Sequence, residues 1–524
     1  MKEVLARLRP WLPWGTCSLA ACCLAYLLTQ PMDYVTAAML LGMACFLLFP
    51  LLLRWHYPLL LVSVMMPVTM FFVKGNPPAW MVMMGVSLII SLGERAMSGV
   101  GRFVTISQIA QPLLLLGGIV LVTAELTGGL GFHSLGGEVF GGKKYAQIFA
   151  AIGLFYAVAS RPIPPNRSTL YATLFLIGGL PGFLGDLAAV LPSGLSFIFH
   201  FINPGEAGMD ELGNYTNLEL GVSRMGGVAV TALAIYMCLL ARYGIQGIFQ
   251  IRKPWRWMGF LTLFMAFGLG GYRSTILLVL MILVVLFLLE GLHRTPMLLV
   301  LLLVCGLGGV MLVIFSQSLP LVIQRSLAFL PLNLNPEAVA SAQGSSEWRL
   351  EMWASLLPEV PRHLLLGKGF AISAETYNEM TSVALSSGRM DASQQTLALA
   401  SDFHNGPLSV VLPLGLWGCL AFTWFLSASL RILTRNYRYG DPSIRGINRF
   451  LLAFFIVKVI MFVLVFGDLS SDLFTYTSCI AFSLALNRGM SQPAVTDASV
   501  TLPQIIRFKR PLAEANPISS AHPS

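Results

Sequence analysis

A chain of 524 residues that is 56% hydrophobic and only 11% charged, with a mean hydropathy of +0.75, is excluded from the ordinary soluble globules, whose charged share is about 25%. Its formal charge of +9 is read against membrane topology and not as a nucleic-acid surface, so no nucleic-acid partner is expected. All eight cysteines fall inside apolar runs, which points away from both a disulfide framework and a zinc site.

Apolar runs of spanning length recur in chain order at 13–29, 34–53, 58–73, 78–92, 103–126, 145–160, 168–184, 225–241, 257–271, 275–290, 297–315, 407–430, 450–466 and 473–487. These predict an all-α, polytopic membrane bundle of about 14 transmembrane helices. The runs are continuous and rich in Leu, Met and Ala, unlike the short alternating segments of a membrane β-barrel. Lys2, Arg7 and Arg9 precede the first run, and Leu19-Ala20-Ala21-Cys22 is similar to a lipoprotein cleavage box; Pro13 breaks the apolar stretch, so this helix is read as a retained anchor. The piece 186–202, with Asp186, Pro192, Gly194 and His200, reads as interfacial or re-entrant.

With a cytoplasmic N-terminus, about two thirds of the 33 Lys and Arg fall in inner segments, the bias that orients membrane proteins; the number of spans is then even and both termini are cytoplasmic. Residues 1–487 form the transmembrane domain, and 488–524 a basic, disordered cytoplasmic tail whose Arg507-Phe508-Lys509-Arg510 cluster suits anionic lipid. Between spans eleven and twelve lies an outer segment, 316–405, of about 90 residues, far longer than a helix connection needs and carrying short helices of its own. Within it Ser346 is expected to cap a helix running to about Leu357, whose Arg349, Met352, Trp353, Leu356 stripe lays apolar groups on the membrane body and holds Arg349 at its surface. Gly367-Lys368-Gly369-Phe370 reads as a turn.

No phosphate-cradling Walker loop, HExxH pair or GxSxG elbow is present, and neither a metal nor a cofactor is expected. The unusual polar groups gather instead at the outer boundary: Arg224 at the start of the eighth span, Arg273 in the hairpin Gly271-Tyr272-Arg273-Ser274, and His404 just before the twelfth span. Arginines there run against the positive-inside bias and want an anionic partner; guanidinium forks suit a lipid pyrophosphate, although snorkelling to ordinary phospholipid is the plainer alternative for each alone. His404 suits a general base for a sugar hydroxyl, with Asp402 to orient the ring, or a merely structural hydrogen-bonded role. Glu206, Asp210, Glu211 and Glu219 form an acidic outer patch, Asp468 and Asp472 flank the last outer turn, and Asn214-Tyr215-Thr216 fits a glycosylation pattern that is incidental in a bacterial envelope.

Four pieces in order, Arg224-Met225-Gly226-Gly227, Gly271-Tyr272-Arg273-Ser274, Trp348-Arg349-Leu350-Glu351-Met352-Trp353 with Gly367-Lys368-Gly369, and His404-Asn405-Gly406-Pro407-Leu408, resemble the O-antigen ligase and O-antigen polymerase superfamily. The resemblance covers about residues 220–430 and is most specific in the His-Asn-x-x-Leu pattern at the end of the long segment. It implies a metal-independent membrane glycosyltransferase with an undecaprenyl-pyrophosphate-linked glycan as donor and a glycan, lipid A-core or protein hydroxyl as acceptor. It also implies roles: His404, Arg273 and Arg224 catalytic, Arg349, Trp353 and Asn405 substrate-binding. A transporter or flippase of lipid-linked glycan or small solute is the competing class, weakened by the lack of an internal repeat and by polar groups at the boundary rather than the midplane.

Overall fold

The computed structural model describes residues 52–71, 75–98, 103–130, 139–188, 191–202, 224–250, 252–373 and 403–493, with a few isolated positions besides. The first expected span, most of the second, the tail beyond 493, the acidic residues Glu206, Asp210, Glu211 and Glu219, the Asn214 sequon and Asp402 lie outside the described residues.

After a helix over 52–64 come α1 (Ala79–Ser98), α2 (Ser107–Leu126), α3 (Gly142–Val158), α4 (Ser168–Ile177), α5 (Gly226–Ile248), α6 (Pro254–Leu269), α7 (Arg273–Leu289) and α8 (Met297–Phe315). The long segment contributes α9 (Leu321–Leu327) and α10 (Pro336–Leu356), and the chain returns through α11 (Gly406–Tyr439), α12 (Arg445–Leu464) and α13 (Leu469–Asn487). Two short strands, β1 (Val139–Phe140) and β2 (Ile372–Ser373), pair antiparallel and tie the long segment to the loop before α3. Among the described residues eight helices are long and apolar enough to cross a membrane, so the chain is a multi-pass membrane protein; the expected count of 14 is not established.

Side chains that are fully buried, such as Tyr145, Phe155, Phe175, Tyr236, Phe425, Phe450 and Tyr476, knit α3, α4, α5, α11, α12 and α13 into one core. Phe175 stacks on Phe482 with ring centroids 4.6 Å apart. α8 is the opposite case: it is the most apolar span and buries no residue within the chain.

Caps fix where the site-bearing helices begin. Asn405 Oδ1 accepts from Leu408 N at 3.1 Å and Pro407 occupies the first turn of α11, where a missing N–H costs nothing. Asp468 caps α13 by accepting from Ser471 N at 3.1 Å.

Some expected boundaries are displaced. The run 58–73 is helical only to 64: Pro67 cannot donate, and Met70 N and Ala79 N instead bond the carbonyls of Pro77 and Val68, each at 2.8 Å. The piece 186–202 holds a 3-10 helix, Ser193–His200, too short at about 2 Å per residue to span. The helix expected to be capped by Ser346 starts eleven residues earlier, because Asn335 is the true cap and Pro336 the first helical residue; Ser346 lies inside α10.

Two spans are broken, at Gly244 (φ +62) in α5 and Gly415 (φ +64) in α11. Backbone groups freed inside a membrane need protein partners. At the first break Glu290 accepts from Ile245 N (2.9 Å) and Gln246 N (3.2 Å) while pairing with Arg449 at 3.0 Å. At the second, the turn of the long segment fills the gap. Lys368 N and Gly369 N donate to the carbonyls of Leu412 (2.8 Å) and Pro413 (3.0 Å), and Leu416 N donates to Leu364 O (2.6 Å). Gly367 (φ +75) and Gly369 (φ +70) are both left-handed, as a tight turn here requires.

Candidate functional site

The hairpin between α6 and α7 is the centre of the cationic cluster. Its Gly271 is left-handed (φ +66), and the stem of Arg224 crosses it so closely that a Cβ on Gly271 would stand 3.1 Å from Arg224 Cγ. Arg224 Cζ lies 5.5 Å from the Tyr272 ring centroid, and Met225 N donates to Leu269 O at 3.0 Å, fixing the start of α5 against the end of α6. Arg325, buried on α9, donates to Gly271 O at 3.2 Å and to Ser341 Oγ on α10 at 2.9 Å.

α10 gathers the remaining groups along one face. Arg273 donates to Ala342 O and Ser346 Oγ, each at 3.1 Å. One turn further stands Arg349, and another turn on, Trp353 Nε1 donates to Phe403 O at 2.8 Å. The spacing 342, 346, 349, 353 is that of a single helical stripe. Met352 and Leu356, on the neighbouring face, are buried with Phe403, Leu408 and Leu412 at the mouth of α11, as the sequence stripe predicts.

His404 follows at once. Its ring sits 5.0 Å from Phe466, roughly parallel, and 5.4 Å from Trp348, and its backbone is left-handed (φ +48), a strained conformation for a non-glycine residue. Arg349 Cζ lies 5.9 Å from the same Phe466 ring, so imidazole and guanidinium share one aromatic neighbour.

Burial depresses the Arg349 guanidinium from its ordinary value, and the positive charges of Arg273 and Arg224 depress it further. Arg349 Nε is buried and makes no hydrogen bond among the described residues. Nor is Arg273 or Arg349 ion-paired among the described residues. Three like charges in mutual range, two of them without a carboxylate, make a site that favours a multiply charged anion. Among the described residues no three His, Cys, Asp or Glu side chains gather as a metal-binding group.

The structure thus brings Arg224, Arg273, Arg349, Trp353, His404 and Asn405 to one end of the bundle. Asn405 spends its side-chain oxygen on the α11 cap, and Trp353 its ring nitrogen on the backbone that precedes His404, so both hold the His404 turn in place. Arg325 is not among the residues singled out from the sequence; the signal was Gln324-Arg325-Ser326, three consecutive polar residues that all prove buried.

Fold and site together define a multi-pass membrane protein with an anion-receptive arginine cluster next to an imidazole. Residues 257–423 match the family model described as O-antigen ligase, which supports the superfamily that the motifs resemble. That stretch contains Arg273, Arg325, Arg349, Trp353, His404 and Asn405, while Arg224 lies before it. No curated protein matches the chain.

Proposed function

We propose that the protein transfers a glycan from an undecaprenyl-pyrophosphate carrier to an acceptor hydroxyl at the periplasmic face of the bacterial inner membrane, as an O-antigen ligase or polymerase. The family match supports a membrane glycan-transfer role of this type. The observation that carries the finer reading is Arg349, whose guanidinium is depressed first by its burial and then by the charges of Arg273 and Arg224, with no ion pair among the described residues: a diphosphate offsets both the burial and the crowding.

In this mechanism Arg224, Arg273 and Arg349 hold the two phosphates and stabilise the charge that grows on them as the anomeric carbon–oxygen bond breaks. His404 takes the proton of the acceptor hydroxyl, whose oxygen forms the new bond to the anomeric carbon, and the carrier diphosphate departs. The leaving group supplies the driving force, so metal and cofactor are not needed. Trp353 and Asn405 complete the substrate-binding edge and fix the imidazole turn. Arg325, buried beneath the hairpin, acts as a positioning residue.

The acceptor separates the alternatives. In a strain lacking the protein, single repeats on their acceptor identify a polymerase, and long chains left on the carrier identify a ligase. Restoration of the profile by wild-type protein but not by Arg273→Ala or His404→Ala, at equal membrane abundance, supports the site. Full activity of both variants overturns it.

A further inference from the structure

A recess lies against the first turn of α5, which follows Arg224 in the chain. A cavity of about 300 Å³ is bounded by residues 66–69, Pro78, Gly182, Gly185, Asp186, Ile202, Gly227 and Val230. This is the lower end of the usual range for small-molecule pockets, about 300–1,000 Å³. Gly226 and Gly227 face different neighbours: a Cβ on the first would touch Tyr272 of the hairpin at 3.4 Å, and one on the second would meet Asp186 Oδ2 at 3.0 Å. Arg224 lies four residues before Val228, just ahead of α5, and Val228 N donates to Asp186 Oδ2 at 2.6 Å.

Asp186 is 8% exposed, and its other carboxylate oxygen, Oδ1, is buried without a hydrogen bond to any described residue. Buried carboxylate oxygens of this kind need a donor, and a single one left open asks for a ligand that brings it. The rest of the lining is apolar, namely Met66, Pro67, Val68, Pro78, Ile202 and Val230, apart from Thr69, whose hydroxyl donates to Phe201 O at 3.2 Å. One acceptor among apolar walls is a poor cation site, because hard cations take about six to eight oxygen ligands. It suits a group with one N–H donor and one methyl.

We propose that this cavity is a sugar subsite for an acetamido sugar residue, its N–H donating to Asp186 Oδ1 and its methyl packing against Met66 and Val230. The inference rests on the glycan-transfer reading for the origin of the sugar, which either the donor or the acceptor glycan brings. Binding of the sugar itself does not depend on transfer.

The test uses full-length protein in detergent and saturation-transfer NMR with N-acetylglucosamine, glucose as the control. Wild-type protein is expected to saturate the acetyl methyl at least five-fold more strongly than any glucose proton. Asp186→Asn keeps an oxygen for Val228 N but turns a donor toward the cavity, and Met66→Phe fills it; both are expected to lose the acetyl signal at an unchanged thermal midpoint. Arg273→Ala, inactive under the transfer reading, is expected to keep it, so the two failures are distinguishable. Lipid-linked N-acetylglucosamine on undecaprenyl pyrophosphate erases the free-sugar signal if the subsite serves the donor and leaves it if the subsite serves the acceptor. An absent acetyl preference in wild type, or one retained in folded Asp186→Asn, overturns the proposal.

Discussion

Arg273 reaches across from the first residue of α7 to donate to Ser346, 3.1 Å away in the middle of α10, and the same nitrogen bonds Ala342 O one turn earlier. A membrane hairpin and an extramembrane helix are thereby locked into one frame, which places the guanidinium instead of leaving it to snorkel.

Removing the Ser346 hydroxyl leaves the Ala342 carbonyl as the remaining acceptor. The expected cost of Ser346→Ala is about 1 kcal/mol, or about five-fold in transfer rate, whereas Arg273→Lys, which loses the planar fork, is expected to fall by a further order of magnitude. Initial rates of glycan transfer in membranes check both. Equal rates in wild type and Arg273→Lys would remove the case for a fork-specific contact.

His404 separates geometry from chemistry. Asn tolerates the left-handed backbone that φ +48 demands, while Ala pays about 1–2 kcal/mol there. His404→Asn is therefore expected to reach wild-type abundance with no transfer, and His404→Ala to show the same chemical defect with a lowered thermal midpoint. Parallel quantification of membrane protein and glycan product decides it.

Glycines of the long segment divide by sign. A methyl at Gly367 would collide with Pro413 O, and one at Gly369 with Thr127 Oγ1, both at positive φ; each Ala variant is expected to lose about 1–3 kcal/mol and loosen the break in α11. Gly344, exposed on α10 with open space around it, is expected to gain up to about 1 kcal/mol on replacement by Ala. Thermal unfolding in detergent reads all three shifts.

Part of this arrangement is legible in the residues. The motif around His404 announces a helix start, since Asn405 and Pro407 are a cap and a first-turn proline, and the brevity of the Gly271-Tyr272-Arg273 hairpin confines Arg273 to the span boundary. The start of α10 was legible too, in Asn335-Pro336, but Ser346-Glu347 imitates the same signal closer to the apolar stripe. The breaks at Gly244 and Gly415 were not legible, because each depends on partners far along the chain: Glu290 and Arg449 for one, the 364–369 turn for the other. Arg325 escaped for the same reason, its two acceptors lying on separate elements.

Orientation is open to a direct check. Glu347 and Arg438 are both exposed, on α10 and at the far end of α11. Cysteines at these two positions are expected to react with a membrane-impermeant maleimide from the periplasm and only after permeabilisation, respectively. The reverse pattern would turn the site toward the cytoplasm and exclude periplasmic transfer.

Binding of undecaprenyl pyrophosphate to the purified protein bears most directly on the arginine cluster as one diphosphate site. The carrier is expected to raise the thermal midpoint of wild-type protein, with the shift abolished in both Arg273→Ala and Arg349→Ala and retained in His404→Asn. An equal shift in wild type and in either arginine variant, or no shift in wild type, would contradict the account.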